Sequence, residues 1–251
     1  MEDLLYDLAE FLSPEDCFHL SLTNRRITNL IYRISHIRIF NTFDLLKYKN
    51  LTGLSIDFVD LSNMERIINP PSVPYLKFLS NLEYLYLRAF NSGDISTLVN
   101  LRELHIWGSS SIKDISCLTN LKKLSLGPSV PITDLSRLIH LEELELSNRR
   151  ITKLSPLINL RSLTLTNNQC VSDLFHLTNL TKLNLSQCEN IETLPSLPSL
   201  RKLNISGNSM VHNVSHLTGL TRLIINRRMH IEKLFGLFYP LTPNISIIDM
   251  V

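Results

Sequence analysis

Tyr84 and Tyr86 fall between the leucines of one stretch of chain, Leu82 to Leu87, and His105 and Trp107 fall within and just after the next such stretch, Leu101 to Ile106. Large aromatic side chains held on a rigid support dominate binding hot spots, since each brings much apolar area with few torsions to freeze. Their structural alternative is cross-strand packing that only stabilises a sheet. A second group is cationic: Lys182, Lys202 and Arg222 recur at intervals of 20, with Arg227 and Arg228 close behind. Stacked on neighbouring strands such a row suits an acidic partner surface, although well-solvated lysines also tolerate that spacing without one. Between the two groups Glu142, Glu143 and Glu145 make an acidic step, and Asn184 and Asn204 are spaced for a small amide ladder.

No catalytic constellation accompanies these residues. The eight histidines (His19, His36, His105, His140, His176, His212, His216, His230) show no metal-ligand spacing, and surface placement accounts for His212 and His216. Seven glycines form no phosphate-binding loop. The four cysteines (Cys17, Cys117, Cys170, Cys188) have neither Cys-x-x-Cys spacing nor a nucleophile signature, and they read as reduced thiols of a cytosol or nucleus. The expectation is a protein that is not an enzyme and takes no metal or cofactor. A net charge of +2 over 251 residues gives no pull toward nucleic acid, and five basic residues without interleaved aromatics add none. Glu2, Asp3 and Asp7 occupy the place of a basic leader region, and no apolar run approaches the ~18 to 20 residues of a membrane span. A soluble cytoplasmic protein without a membrane partner is expected, a nuclear location being equally compatible with those features.

The elements that must position the two groups are repeats. Leu-x-x-Leu-x-Leu/Ile begins at Leu82, Leu101, Leu121, Leu141, Leu160, Leu180, Leu200 and Leu220, in steps of 19 or 20 residues. A period near twenty means a solenoid. The alternation of the fourth and sixth positions has period two, so each unit holds a short strand with those side chains inside and the intervening ones outside. The second half, as in Ile112-x-Asp114-Ile115-Ser116-x-Leu118-x-Asn120, returns the chain and closes the other wall of one hydrophobic tube. With six apolar positions per repeat, each contributing about 1.5 to 3 kcal/mol on burial, stacking of neighbours is what holds the array together.

This wording resembles the leucine-rich-repeat family, and the resemblance covers roughly residues 34 to 251. It implies a horseshoe or arc, an α/β solenoid with a parallel concave β-sheet. Ile34-x-x-Ile37-x-Ile39 and Leu51-x-x-Leu54-x-Ile56 look like irregular early copies, and Ile245-x-x-Ile248-x-Met250 like a terminal one, giving eleven candidate strands. The family's ninth position is usually Asn, which satisfies the backbone at the bend; here it is Asn168 and Asn208 with Cys188 between, and elsewhere Phe90, Ser109, Ser129, Arg149 or Arg228. Less regular bends are expected in the latter repeats. A unit of this length leaves no room for a full outer helix, so extended or 3-10 convex segments are expected. The Ile-x-Asp-Ile-Ser-x-Leu-x-Asn-Leu wording is similar to the internalin type, whereas Leu194-Pro195-Ser196-Leu197-Pro198-Ser199-Leu200 is similar to the shorter units of secreted bacterial effectors. Residues 57 to 81 break the period, Leu61 to Ile68 admitting a short helix before Pro70, Pro71 and Pro74.

The start of the chain follows another rule. Leu4, Leu5, Leu8, Phe11 and Leu12 recur at helical spacing, Ser13-Pro14-x-Asp16 caps a second helix, and Thr23 caps a third that carries Ile27, Leu30, Ile31 and Ile34 on one stripe. Such short helices must dock on the solenoid, on a partner, or on both. Residues 4 to 32, LLYDLAEFLSPEDCFHLSLTNRRITNLIY, resemble the F-box, the module that docks a substrate receptor onto the small adaptor of cullin-RING ubiquitin ligases. Leu8, Leu12, Leu20, Arg25, Arg26 and Leu30 fall on its recurrent positions and Pro14-Glu15-Asp16 on its inter-helix corner, while Ile27 stands where a Trp is usual.

The organisation expected is therefore a three-helix F-box-like module at residues 1–33 and a repeat solenoid at 34–251, with irregular repeats at 34–81, regular ones at 82–240 and a capping strand at 241–251. The resemblance implies a substrate-recognition subunit of an SCF-type ubiquitin ligase. Leu8, Phe11, Leu12, Leu20 and Leu30 would meet the adaptor; Tyr84, Tyr86, His105 and Trp107, with Lys182, Lys202 and Arg222, would meet a substrate protein. The alternative is a stand-alone scaffold, or a viral or bacterial effector, whose first helices only cap the solenoid.

Overall fold

The computed structural model describes residues 53–57, 80–88, 94–108, 111–147, 150–168, 171, 173–226 and 246–250. The helices expected within residues 4–33, the early copy at 34–39 and the short helix at 61–68 lie outside them.

Every Leu-x-x-Leu-x-Leu/Ile segment from Leu82 onward is a strand or carries one. In chain order these are β1 (Gly53–Asp57), β2 (Tyr84–Arg88), β3 (Glu103–Trp107), β4 (Lys123–Leu126), β5 (Glu143–Leu146), β6 (Ser162–Leu165), β7 (Lys182–Asn184), β8 (Lys202–Asn204), β9 (Arg222–Asn226) and β10 (Ser246–Met250). They form one parallel sheet in sequence order. The early copy at Leu51 supplies β1 in the expected frame, Leu54 pairing with Leu85, but β10 sits one residue off the expected one: Ile247 rather than Ile248 pairs with Leu223 and packs on the core, and Ile248 pairs with Ile224. From β1 to β9 the register is in phase: Leu104 pairs with Leu124, Leu124 with Leu144 and Leu144 with Leu163. Only this register stacks leucine on leucine; a slip of one residue would turn the apolar set to water.

One repeat shows how the tube is filled. Leu101, Leu104, Ile106, Ile112, Ile115 and Leu118 are all at most 4% exposed, and the equivalent positions join them in one continuous core. Among the described residues the return segments contain no helix; they are extended and closed by tight turns such as Leu98 N to Ile95 O and Leu101 N to Leu98 O, each 3.0 Å. The side chains of Asp94, Asp114 and Asp134 start these turns, their Oδ1 accepting the backbone N–H of Ser96, Ser116 and Ser136 at 2.8 Å. That is the mechanism behind the Asp-x-Ser spelling.

Two ladders of polar side chains satisfy the backbone between turns. The ninth-position ladder is the expected one: Asn168 and Asn208 are buried, and their Oδ1 atoms accept the N–H of Val171 and Val211 at 3.0 Å. Asn208 Nδ2 reaches back to the carbonyl of Cys188, and Cys188 Sγ donates to Leu165 O at 2.7 Å, so the cysteine stands in for an amide. The residue before, at Gly108, Asn167, Gln187 and Gly207, has positive φ (68°, 52°, 60° and 72°), so the Ser109 repeat keeps this bend against expectation, whereas Pro128 in the Ser129 repeat is barred from it by its ring. The second ladder lies one residue before the leading leucine: the amides of Asn100, Asn120, Asn159 and Asn179 donate to Ser80, Val99, Ile139 and Ile158 carbonyls at 2.8 to 2.9 Å. The Leu-x-Asn-Leu spelling is the sequence signal for this row, which neither the ninth-position asparagines nor the spacing of Asn184 and Asn204 indicates.

Candidate functional site

Since Leu85, Leu87, Leu104 and Ile106 point inward, Tyr84, Tyr86, His105 and Trp107 are forced onto the open face of the sheet, where each is half-buried. Tyr84 pairs with Glu103 in register and Tyr86 with His105. The His105 ring lies between the two tyrosines, its centroid 5.8 Å from that of Tyr84 and 6.0 Å from that of Tyr86, both tilted. Its Nε2 is 2.9 Å from Glu103 Oε1 on the same strand, which turns the imidazole edge toward a carboxylate. That hydrogen bond holds the Glu103 carboxyl below the usual glutamate range even though burial works the other way. Burial, then Glu103 and Tyr86 nearby, push the Tyr84 phenol up, so it stays a neutral hydroxyl.

Trp107 does not stand free. Its indole lies over β4, where a Cβ on Gly127 would come within 3.0 to 3.2 Å of the ring and its Cα. The indole N–H donates to Ser125 Oγ at 3.2 Å, and that hydroxyl donates to Glu145 Oε2 at 3.1 Å. Ser125 is 2% exposed as a result. An aromatic whose ring is seated on a glycine and whose N–H is directed through a hydroxyl to a carboxylate is pre-organised, so little ordering entropy remains to be lost on contact with a partner. Ser125 and Gly127 were missed as site residues. The available signal was a glycine in a row that elsewhere reads Ser147, Thr166, Ser186 and Ser206, next to the chain's only tryptophan.

The acidic step is not free acidity. Glu142 Oε1 is 2.9 Å from Lys122 Nζ, Glu143 Oε2 is 3.4 Å from Lys123 Nζ, and Glu145 accepts from Ser125. The Lys122 hydrogen bond and charge hold the Glu142 carboxyl low. Asn184 and Asn204 are register partners, but each Oδ1 accepts a backbone N–H on its own strand, Ser186 or Ser206 at 3.0 Å. Lys182, Lys202 and Arg222 form the expected row, side by side and exposed. The adaptor-facing residues Leu8, Phe11, Leu12, Leu20 and Leu30 lie outside the described residues.

A polar groove of about 1080 Å³ runs along the edge where the chain enters the strands, lined by the Leu-x-Asn-Leu ladder and by Arg102, Lys122 and Glu142. The amides of Asn100, Asn120, Asn159 and Asn179 are engaged with backbone carbonyls, and Arg102, Lys122 and Glu142 are ion-paired, so its geometry follows from the repeat; the aromatic group lies outside it. Among the described residues no three His, Cys, Asp or Glu converge as metal ligands, and no helix is long and apolar enough to cross a membrane.

No protein-family model matches the chain, and no curated protein matches it in sequence. Solved structures do. Internalin C2 of Listeria monocytogenes is 28% identical over 69% of this chain and 80% of its own, with a TM-score of 0.51. A leucine-rich-repeat protein of Leptospira interrogans is 21% identical over 77% of this chain and 60% of its own, with a TM-score of 0.52. The fold is the leucine-rich-repeat solenoid, with the internalin-like spelling of its units matched by the first of these structures.

Proposed function

We propose that this leucine-rich-repeat chain is a protein-interaction module that captures a partner on the open face of its sheet, and that residues 1–33 dock it to the adaptor of an SCF-type cullin-RING ubiquitin ligase. One observation carries the capture: Tyr84 and Tyr86 pack against His105 on the adjacent strand, Trp107 stands on that same strand, and Glu103 holds the imidazole while Ser125 and Gly127 seat the indole. Large aromatics on a rigid sheet lose little entropy on contact and give the area that hot spots need. The adaptor role rests on the F-box-like wording of residues 4–32, in which Leu8, Phe11, Leu12, Leu20 and Leu30 supply the apolar face. In this reading the partner is a substrate protein, and the covalent chemistry belongs to the assembled ligase rather than to this chain. The likeness to internalin C2 favours a second reading, a stand-alone scaffold or effector whose first helices cap the solenoid.

Tagged full-length chain, a deletion of residues 1–33 and the Tyr86→Ala/Trp107→Ala double variant, recovered from cells and quantified for adaptor, cullin and other bound proteins, separate the readings. The deletion should lose adaptor and cullin yet keep the remaining partner, and the double variant should do the reverse with its fold intact. Each hot-spot aromatic removed costs at least ~2 kcal/mol of affinity. Wild-type chain that never brings down an adaptor leaves the stand-alone scaffold standing. Undiminished partner capture by the folded double variant moves the interface off the aromatic group.

A further inference from the structure

The open face of the sheet is electrostatically divided. On β2 to β5 and the residues entering them, cations meet carboxylates of the next strand: Arg102 meets Glu83, Lys122 meets Glu142, and Lys123 meets Glu143. On the next four strands the pattern stops. Residues 161–166, 181–186, 201–206 and 221–226 carry Arg161, Lys182, Arg201, Lys202 and Arg222 and not one Asp or Glu. Arg201 is held at the sheet edge, its Nη1 donating to Gly219 O at 3.1 Å, where a side chain on residue 219 would collide with it. Lys182, Lys202 and Arg222 are exposed, adjacent in register, and form no ion pair with any described residue.

Neighbouring parallel strands lie about 4.8 Å apart, so the three charges fall within ~10 Å of one another. Such crowding of like charge on a packed sheet costs free energy that a carboxylate-bearing partner would return. What the next row offers points the same way. Asn184 and Asn204 have committed their oxygens to Ser186 N and Ser206 N, so their NH₂ donors are what each carboxamide has left to present. At the far end the same row continues as Ile224 and Ile248, paired in register and half-buried. At the near end Thr164 separates this row from Glu145, and Ser162 separates the cationic row from Glu143.

We propose that β6 to β9 dock a short, extended, acidic segment of a protein partner, its carboxylates on Lys182, Lys202 and Arg222 and an apolar side chain beside them on Ile224 and Ile248. This rests on the open face being the docking surface, and it assigns the partner's chemistry. An extended chain advances about 3.3 Å per residue, so some four residues span the row. A nucleic-acid strand fits poorly: these strands carry no aromatic ring for a base to stack on, and the apolar end has nothing to offer a phosphate.

The probe is a fluorescein-labelled peptide of about ten residues, Glu alternating with Ser and ending in Leu, read by anisotropy with the full-length chain at ~50 and ~300 mM salt. A peptide with Gln for every Glu and an oligothymidylate of equal length are the comparisons. The Glu peptide should bind, weaken about tenfold or more at the higher salt, and weaken about tenfold or more in Lys182→Glu/Lys202→Glu/Arg222→Glu. Lys113→Glu/Arg137→Glu/Lys153→Glu, an equal change of net charge on exposed return segments, should bind as wild type. If the first triple variant melts early, Lys182→Gln/Lys202→Gln/Arg222→Gln gives the same reading with no added repulsion. Retained peptide binding by Tyr86→Ala/Trp107→Ala keeps this proposal standing even where the aromatic interface fails. Equal loss in the two charge-reversed variants, equal binding of the Gln peptide, no binding at low salt, or tighter binding of the oligothymidylate each overturns it.

Discussion

Gly127 matters at the residue scale because of what rests on it. A methyl at this position would meet the Trp107 ring and Cα at 3.0 to 3.2 Å, so the indole must shift by a few tenths of an ångström, which lengthens its already long hydrogen bond to Ser125. Gly127→Ala should therefore shift the emission of the chain's only tryptophan toward that of exposed indole while changing stability by about 1 kcal/mol or less, since no core position is touched. An unchanged spectrum would mean that the ring is not seated there. Glu103 gives a pH-dependent counterpart. Its folded pKa lies below the ordinary glutamate value, chiefly through His105, so its contribution is present above that ordinary value and fades as pH falls through the lower folded one. The difference in melting temperature between wild type and Glu103→Gln should hold steady near neutrality and close in acid. Cys188 is fully buried and its thiol is pushed up by that burial, so peptide mapping after brief alkylation of the native protein should find it unmodified.

Within an element, what distinguishes one polar ladder from the other is burial. Asn208 accepts from Met210 and Val211 and donates to the Cys188 carbonyl, all inside the bend, so its loss strands buried backbone groups. Asn159 makes one exposed bond, to Ile139 O, and water can replace it. Urea melts should show Asn208→Ala costing about 2 to 3 kcal/mol and Asn159→Ala about 1 kcal/mol or less. Equal losses would mean that the edge ladder, too, is shielded from water. The same contrast explains why Cys188 is tolerated between two asparagines. Its thiol donates to Leu165 O and fills the site without leaving a second amide group unpaired.

Across the described residues the core is one continuous stack of turns, so damage in the middle is felt by neighbours on both sides. Leu144, 2% exposed, sits between Leu124 and Leu163 in register. Leu144→Asp should cost several kcal/mol by placing a carboxylate without a partner in that tube, lowering the melting temperature of the entire array. Glu145→Ala, next in sequence and on the other side of the sheet, loses one hydrogen bond from Ser125 and should cost about 1 kcal/mol at most. Similar melts for the two would contradict the inside-outside alternation on which every surface assignment depends.

The period of twenty and the alternation within it determined the parallel order of the strands and, from β2 to β9, their register and the composition of each outward row; Tyr86 beside His105, and Lys182 beside Lys202 beside Arg222, follow from counting alone. That succeeds because a repeat that must stack leucine on leucine admits one register, and register dictates which residues share a face. By contrast β10, beyond a longer spacer, sits one residue off the expected frame. Tertiary structure decided how far each long side chain leans across the rows. Trp107 lies over the next strand because Gly127 leaves room there and Ser125 offers an acceptor, whereas His105 bends back to Glu103 on its own strand. Lys122 and Lys123 cancel the charge of Glu142 and Glu143, while the cations of β7 to β9 meet no carboxylate among the described residues. A one-dimensional pattern gives the direction in which a residue leaves the backbone; the torsions beyond Cβ answer to the size and hydrogen-bonding capacity of whatever the neighbouring turn has placed alongside.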